Sequence, residues 1–165
     1  EAVGLAWRNL LGAYENRGHD YRENMMMASL MAGLAFSNAS LGLVHAMAHS
    51  LGGSRDLAHG RCNALLLEEV VRYNAQAVPG KYAELGRILD PDSKEKTDSE
   101  AVLDLLHGLS SLRQSLGITR GLGGMDIAWE EIPMLAKKAA NEPCLATNPR
   151  GASQEDIEAI YQAIL

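Results

Sequence analysis

Three of the five histidines lie close together in the chain, at His45, His49 and His59. His45 and His49 are four residues apart, so in a helix they project from one face. A Leu-Gly-Gly break at residues 51–53 predicts a chain reversal that returns His59 toward that face. Neutral imidazoles are common ligands of divalent metals, and three of them suit Zn²⁺ or Fe²⁺. The spacing therefore indicates a metal site, although a histidine pair at this spacing also occurs by chance.

No Asp or Glu near these histidines in the sequence is well placed to act as a further metal ligand. Redox-assisting metals usually take a carboxylate beside the imidazoles, and the nearest acid, Asp56, is more simply a solvated turn residue. Glu15 and His19 are also four apart, but Gly18 breaks their helix, so we interpret them as surface residues. His107 is interpreted as structural. If the histidines bind a metal, we expect further ligands from outside this stretch.

Composition limits the classes of protein to consider. The chain has 165 residues, of which 47% are hydrophobic and 22% charged, which is typical of one globular domain. A net charge of −6 with interspersed signs argues against binding to nucleic acid or to a membrane surface. No signal peptide or membrane-spanning run is visible. Cys62 and Cys144 are far apart, which favours free thiols and a cytoplasmic location.

Helical periodicity runs along nearly the whole chain, and no segment alternates as a strand does. The pattern predicts an all-α fold, a bundle of about seven to eight helices forming one domain over residues 1–165. The predicted helices are residues 1–17, 23–37, 41–51, 59–74, 80–89 after Pro79, 98–116, 130–141 and 153–165. Asp98 or Ser99 is the expected cap of the sixth, and residues 90–97 are an expected mobile surface loop.

Two further expectations concern the first helices. The helix at residues 23–37 is apolar on most faces, which predicts a central position, with Met25, Met26 and Met27 as core residues. The chain begins at Glu1, without Met and within a helical pattern, so a processed or truncated protein is a possibility that we keep open.

The histidine segment resembles a known family. The runs Gly42-Leu-Val-His-Ala-Met-Ala-His-Ser-Leu-Gly-Gly, Leu57-Ala-His-Gly and Asn63-Ala-Leu-Leu-Leu look like the signature of the iron-containing (group III) alcohol dehydrogenases. The preceding Gly33-Leu-Ala-Phe-Ser-Asn and the tail Pro143-Cys-Leu-Ala-Thr-Asn-Pro-Arg fit the same pattern. One departure is Ser50, where many relatives have Pro. The resemblance covers essentially the whole chain.

The resemblance implies a role for each histidine. His45 and His59 match two of four metal ligands, and His49 matches a residue beside the metal that serves proton transfer or substrate contact. The other two ligands, an Asp and a His, and the dinucleotide-binding domain would precede residue 1. The implied reaction is NAD(P)-linked interconversion of an alcohol and an aldehyde or ketone at Fe²⁺ or Zn²⁺, in a homo-oligomer. We expect the isolated chain to be inactive and to bind metal weakly.

Two alternatives remain open. Zinc-dependent relatives, glycerol dehydrogenases and dehydroquinate synthases, share the histidine layout, but Gly60-Arg-Cys-Asn-Ala differs from the Gly-Glu-Ala-Val that they carry after the histidine. A helical interaction module whose histidines do no chemistry is the second alternative, since no Gly-rich loop follows a strand to bind a dinucleotide.

Overall fold

The computed structural model describes residues 1–119 and 121–165, with only the backbone of residue 91. Within these residues there are eight α-helices and no strand, which confirms the all-α prediction. They are α1 (Ala2–Tyr14), α2 (His19–Ala39), α3 (Leu43–Arg55), α4 (His59–Ala75), α5 (Pro79–Leu89), α6 (Asp98–Ser115), α7 (Ile132–Ala140) and α8 (Gln154–Ala163). Short 3₁₀ helices lie at Pro91–Ser93, Leu122–Met125, Trp129–Glu131 and Pro143–Thr147.

The helices sort into two compact units. Unit 1 comprises Glu1–Ser40 and Pro79–Leu116, and so contains α1, α2, α5 and α6. Unit 2 comprises Leu41–Val78 and Gly117–Leu165, and contains α3, α4, α7 and α8. The three histidines of the predicted site all belong to unit 2.

Unit 2 has a continuous apolar core. In it α3 packs against α4 and α7, and α8 packs against α7 and α4. The fully buried side chains come from all four helices, among them Leu43, Met47, Leu66, Leu135 and Ile157. Because this core fixes α3 from behind, it determines where the exposed face of α3 points.

Unit 1 is built from two helix pairs, α1 with α2 and α5 with α6. The α5–α6 pair is in close contact at Gly86, where an added Cβ would lie 2.2 Å from the carbonyl oxygen of Ala101. The prediction that the second helix is central is wrong. In α2 Met26 is 74% exposed and Leu34 62% exposed, and Ala28 is its buried residue. The methionine run is therefore surface in this structure, with Met25 partly buried.

Several helix ends differ from the prediction. The first helix stops at Tyr14, before Gly18, because Asn16 takes a left-handed conformation with φ of 56°. α3 continues through Gly52 and Gly53 to Arg55, so the expected reversal at that Gly-Gly pair is wrong. The reversal comes at Asp56, which has φ of 50° and ends α3 in the αL conformation that Asp tolerates.

Side-chain caps account for two helix starts. Thr97, and not Asp98 or Ser99, caps α6 in a capping box with Glu100. Ser153 caps α8 in the same way with Asp156, where the sequence placed the start of the last helix. The segment at residues 90–97 is anchored in the structure, since the fully buried Ser93 donates a 2.6 Å hydrogen bond to Asp104.

The helices of the described residues differ in length and in apolar content. In those residues no single helix is both long enough and apolar enough to cross a bilayer. The bent pair formed by α2 and α3 meets the length and composition criteria only when the two helices are taken together.

Candidate metal centre

Two helices of unit 2 bring the three imidazoles together. His45 and His49 lie one turn apart on α3, and His59 is the first residue of α4. Their ring centroids are 6.0 Å apart for His45 and His49, 5.4 Å for His45 and His59, and 5.3 Å for His49 and His59. The rings thus form one cluster, called here the histidine cluster, although the turn that closes it begins at Asp56 and not at the glycines.

Gly52 explains why α3 and α4 can approach at this turn. A Cβ added at Gly52 would lie 3.3 Å from the carbonyl oxygen of Leu57 and 3.9 Å from the Sγ of Cys62. The backbone N–H of Leu57 donates to the carbonyl of Gly52, at 3.3 Å. Gly52 therefore allows the segment leading into α4 to approach α3 closely. It does not reverse the chain, as a glycine often does.

Hydrogen bonds from distant segments hold α3 in place. Its first N–H, that of Leu43, donates to Asn148 Oδ1 at 3.0 Å. On the buried side, the hydroxyl of Ser50 donates to the carbonyl of Leu135, and the hydroxyl of Tyr161 donates to the carbonyl of Met47, both at 2.7 Å. Since α3 is tied at its start and along its back, the orientation of His45 and His49 is restricted.

His45 is the partly buried member of the cluster, and its charge is disfavoured. Burial lowers its pKa, and the neighbouring His59 and His49 lower it further. A neutral imidazole at neutral pH is the form that can donate a lone pair to a metal. His49 and His59 are exposed.

Asn63, one turn after His59 on α4, contacts the ring of that histidine. Its Nδ2 lies 2.9 Å from His59 Nε2. Its other amide atom, Oδ1, is buried and is the buried side-chain atom without a hydrogen-bond partner among the described residues.

A carboxylate does lie beside the cluster, and the sequence prediction that none is well placed is wrong. Glu142 Oε2 is 3.3 Å from His49 Nδ1. Glu142 follows α7 and is 93 residues from His49, so the spacing of residues could not reveal the contact. The one sequence feature that could have pointed to Glu142 is that it directly precedes Pro143-Cys144, the start of the tail that resembles the family. Asp56 is an exposed residue of the turn, as interpreted from the sequence.

The other singled-out residues lie outside the histidine cluster. His19 is in unit 1, exposed, with its Nδ1 3.8 Å from Glu23. His107 is on α6, also in unit 1. Cys62 and Cys144 are free thiols, as predicted. Cys144 nevertheless lies near the cluster, with its Sγ 4.0 Å from Glu142 Oε2.

The cluster fits a divalent metal on two observations. An imidazole nitrogen binds Zn²⁺ at about 2.0–2.1 Å, so two rings on one tetrahedral ion have centroids about 5 Å apart. The 5.4 Å between His45 and His59 is compatible with that distance. The lowered pKa of His45 favours the neutral imidazole that ligation requires. His49 differs because its Nδ1 already faces a carboxylate.

Comparison with known proteins gives a consistent result. Residues 1–165 match the C-terminal part of the Fe-containing alcohol dehydrogenase family. The chain is 36% identical over 163 residues to 1,3-propanediol dehydrogenase of Citrobacter freundii (98% of this chain, 42% of that protein). It is 37% identical over 142 residues to lactaldehyde reductase of Escherichia coli strain K12 (86% of this chain, 37% of that protein).

Solved structures agree with these relatives. The crystal structure of a 1,3-propanediol oxidoreductase superposes with a TM-score of 0.96 at 35% identity, covering 99% of this chain and 43% of that one. The alcohol dehydrogenase from Oenococcus oeni gives a TM-score of 0.93 at 33% identity, with the same coverage. The chain spans less than half the length of the relatives that it matches.

Proposed function

The chain belongs to the Fe-containing alcohol dehydrogenase family, and from that premise we propose that it is the C-terminal helical, metal-binding part of an oxidoreductase. The proposed reaction is NAD(P)-linked interconversion of an alcohol and an aldehyde or ketone. The observation that carries this proposal is the convergence of three imidazoles from α3 and α4 on one site. On this proposal residues 1–165 form one metal-binding domain, and a dinucleotide-binding domain precedes it.

Two histidines of the cluster hold the metal in this proposal. His45 and His59 contribute two ligands, with an Asp and a His from the preceding polypeptide as the others. Burial lowers the pKa of His45, which favours its neutral form. His59 is the first residue of α4, and its ring lies beside that of His45 from α3.

The third histidine moves a proton. When bound, the cofactors supply Lewis-acid polarisation of the alcohol oxygen by Fe²⁺ or Zn²⁺ and hydride transfer at the nicotinamide. His49 accepts the proton that the hydroxyl loses, a role suited to imidazole near neutral pH. It lines an open cleft of about 640 Å³ whose other walls include Ser54, Met134, Lys137 and Glu142, so the proton has a path to water.

The relatives support a short-chain substrate. One is named for 1,3-propanediol and another for lactaldehyde. We propose a small alcohol or aldehyde for this chain as well, in a cytoplasmic homo-oligomer. The cytoplasmic location is supported by the two free thiols. The homo-oligomer is supported by the apolar surface of α2, which a second subunit could cover.

Metal titration of purified variants tests the ligand assignment. We expect His45→Ala and His59→Ala, in the polypeptide that carries the dinucleotide-binding domain, to weaken Fe²⁺ or Zn²⁺ binding by more than about 100-fold, beyond the usual cost of removing an outer-shell partner. His49→Ala should keep the metal and lose turnover. His107→Ala, in unit 1, is the control.

Two results would contradict the proposal. One is a metal-loaded protein without NAD(P)-dependent activity toward 1,3-propanediol, lactaldehyde or other short alcohols. The second is tight 1:1 metal binding by residues 1–165 alone, because two ligands cannot supply it and the chain would then have ligands of its own that the proposal omits.

A further inference from the structure

Glu142 is held beside His49 by the segment that follows α7. The contact between Glu142 Oε2 and His49 Nδ1 is 3.3 Å, and each side chain is about one third exposed, 39% for His49 and 34% for Glu142. A contact of this kind on the protein surface contributes little to stability. The contact matters because it involves one specific ring nitrogen of His49, Nδ1, and so affects which nitrogen carries the proton.

The backbone at Glu142 is fixed by several hydrogen bonds within unit 2. The carbonyl of Glu142 accepts the N–H of Leu145 at 3.0 Å, which starts the 3₁₀ turn. The hydroxyl of Thr147 donates to the carbonyl of Leu41, two residues before α3. Asn148 then accepts the first N–H of α3. The segment that carries Glu142 is thus tied to the start of the helix that carries His49.

The chemistry of imidazole gives the contact a consequence. A carboxylate only accepts hydrogen bonds, so the ring nitrogen that faces it must carry the proton. When Nδ1 is the donor to Glu142, Nε2 on the other side of the ring holds the lone pair. A histidine without such a partner distributes its proton between the two nitrogens.

From this geometry we propose that Glu142 is a positioning residue for His49, fixing the ring as the Nδ1–H tautomer with Nε2 free to accept a proton. The role of His49 in turnover rests on the proposed function. In the proton step the O–H bond of the alcohol breaks and an Nε2–H bond forms, and a bound nicotinamide would take the hydride of the carbinol carbon. Glu142 keeps its hydrogen bond with Nδ1 throughout, and the imidazolium returns the proton to water in the cleft.

A competing interpretation uses the same atoms. A ring nitrogen of His49, a carboxylate oxygen of Glu142 and the Sγ of Cys144 all lie within 4.8 Å of one another, close enough to hold an ion. Ligation would require the Cys144 thiolate. Burial of that thiol, together with the Glu142 charge, raises its pKa and favours the protonated form. The hydrogen-bonded pair is therefore the interpretation that we pursue, and the metal site is an outcome of the test.

Nuclear magnetic resonance of residues 1–165 tests the tautomer without turnover. Long-range ¹H–¹⁵N spectra of the metal-free chain, at a pH where the ring is neutral, should show His49 as the Nδ1–H form. Glu142→Gln should retain it, since the amide oxygen can accept the same hydrogen bond. Glu142→Ala should give a mixture of tautomers, and the control Glu130→Gln, an exposed carboxylate of unit 2, should change nothing. An Nε2–H ring in the wild type, or no response to Glu142→Ala, would overturn the proposal.

Kinetics of the longer enzyme tests the consequence. We expect Glu142→Ala to lower kcat by on the order of 10- to 100-fold, as loss of an orienting partner usually does. Metal content and KM should change little, and Glu142→Gln should recover part of kcat. A wild-type enzyme without alcohol turnover, combined with a Glu142-dependent tautomer, would refute the proposed function and leave the positioning contact in place. An unchanged kcat in an active Glu142→Ala enzyme would overturn the positioning role.

Titration of residues 1–165 with Co²⁺ separates the two interpretations. Positioning predicts no thiolate-to-cobalt charge-transfer band. A band that disappears in both Cys144→Ser and Glu142→Ala would overturn the proposal, because Glu142 would then be a ligand.

Discussion

Unit 1 and unit 2 bury their apolar side chains to different extents. The largest fully buried apolar residues, including Tyr161, Leu43 and Leu135, all lie in unit 2. In unit 1 the 21-residue helix α2 buries only Ala28 and exposes most of its large apolar side chains. The histidine cluster is on the unit with the complete core. This difference teaches that groups needing an exact mutual geometry are placed on a rigid, well-packed frame.

The largest expected effect concerns the burial of leucine side chains in the two units. Leu135→Ala, in unit 2, should lower the free energy of unfolding by about 2–5 kcal/mol, because it leaves a cavity in a packed interior. The matched change Leu30→Ala, on the surface of α2, should stay within about 0.5 kcal/mol of wild type. Urea unfolding measured by circular dichroism checks both. Equal losses in the two variants would contradict the contrast between the units.

A smaller effect is expected at the hydrogen bonds that hold α3. Asn148 Oδ1 accepts from both the Leu43 N–H and the Asn74 side chain, at 3.0 Å each. Asn148→Ala leaves these buried donors without a partner and should cost about 1–3 kcal/mol. The matched change Asn38→Ala, which removes an exposed side chain of α2 bonded within its own helix, should have little effect. Unfolding free energies that rank the two variants in the opposite order would contradict this account.

The smallest effects concern pH, and the two units should respond in different ranges. In unit 2 the pKa of His45 is lowered by burial and by the two other histidines. The unfolded chain takes up this proton below about pH 6.5, and the folded chain takes it up only at its lower pKa. The free energy of unfolding therefore falls as pH decreases through that interval.

In unit 1, hydrogen bonds from Lys96 and Ser93 lower the pKa of Asp104. The Asp104 carboxylate therefore stabilises the folded state above about pH 3.9, and this stabilisation is lost as pH falls through the lower pKa of the folded state.

Two substitutions separate these ranges in urea titrations with a chelator present. His45→Asn should remove the slope below pH 6.5 and leave the acid limb. Asp104→Asn should weaken the acid limb and leave the slope near pH 6. A near-neutral slope that survives His45→Asn would show that burial of this imidazole is not its source.

Local patterns along the chain were sufficient for much of the fold. Helical periodicity predicted the helices, and Ser153 predicted the start of the last one, because caps and periodicity depend on neighbouring residues. The expectations for α2 failed because periodicity reports an apolar face but not what covers it. The expected reversal at Gly52 and Gly53 failed for a related reason. Glycine permits a turn, yet here it permits close approach of α4 to a helix that continues.

The site divides in the same way. The types and spacing of His45, His49 and His59 were enough to select them, since a helical repeat of four and a following turn are properties of the local sequence. Glu142 could be found only from the fold, because its contact with His49 spans 93 residues and depends on how α7 and the following segment pack beside α3. Sequence alone therefore determined the helices and the three histidines that meet in unit 2. Tertiary packing decided which carboxylate meets them, because such distances are fixed by the core and not by neighbours in the chain.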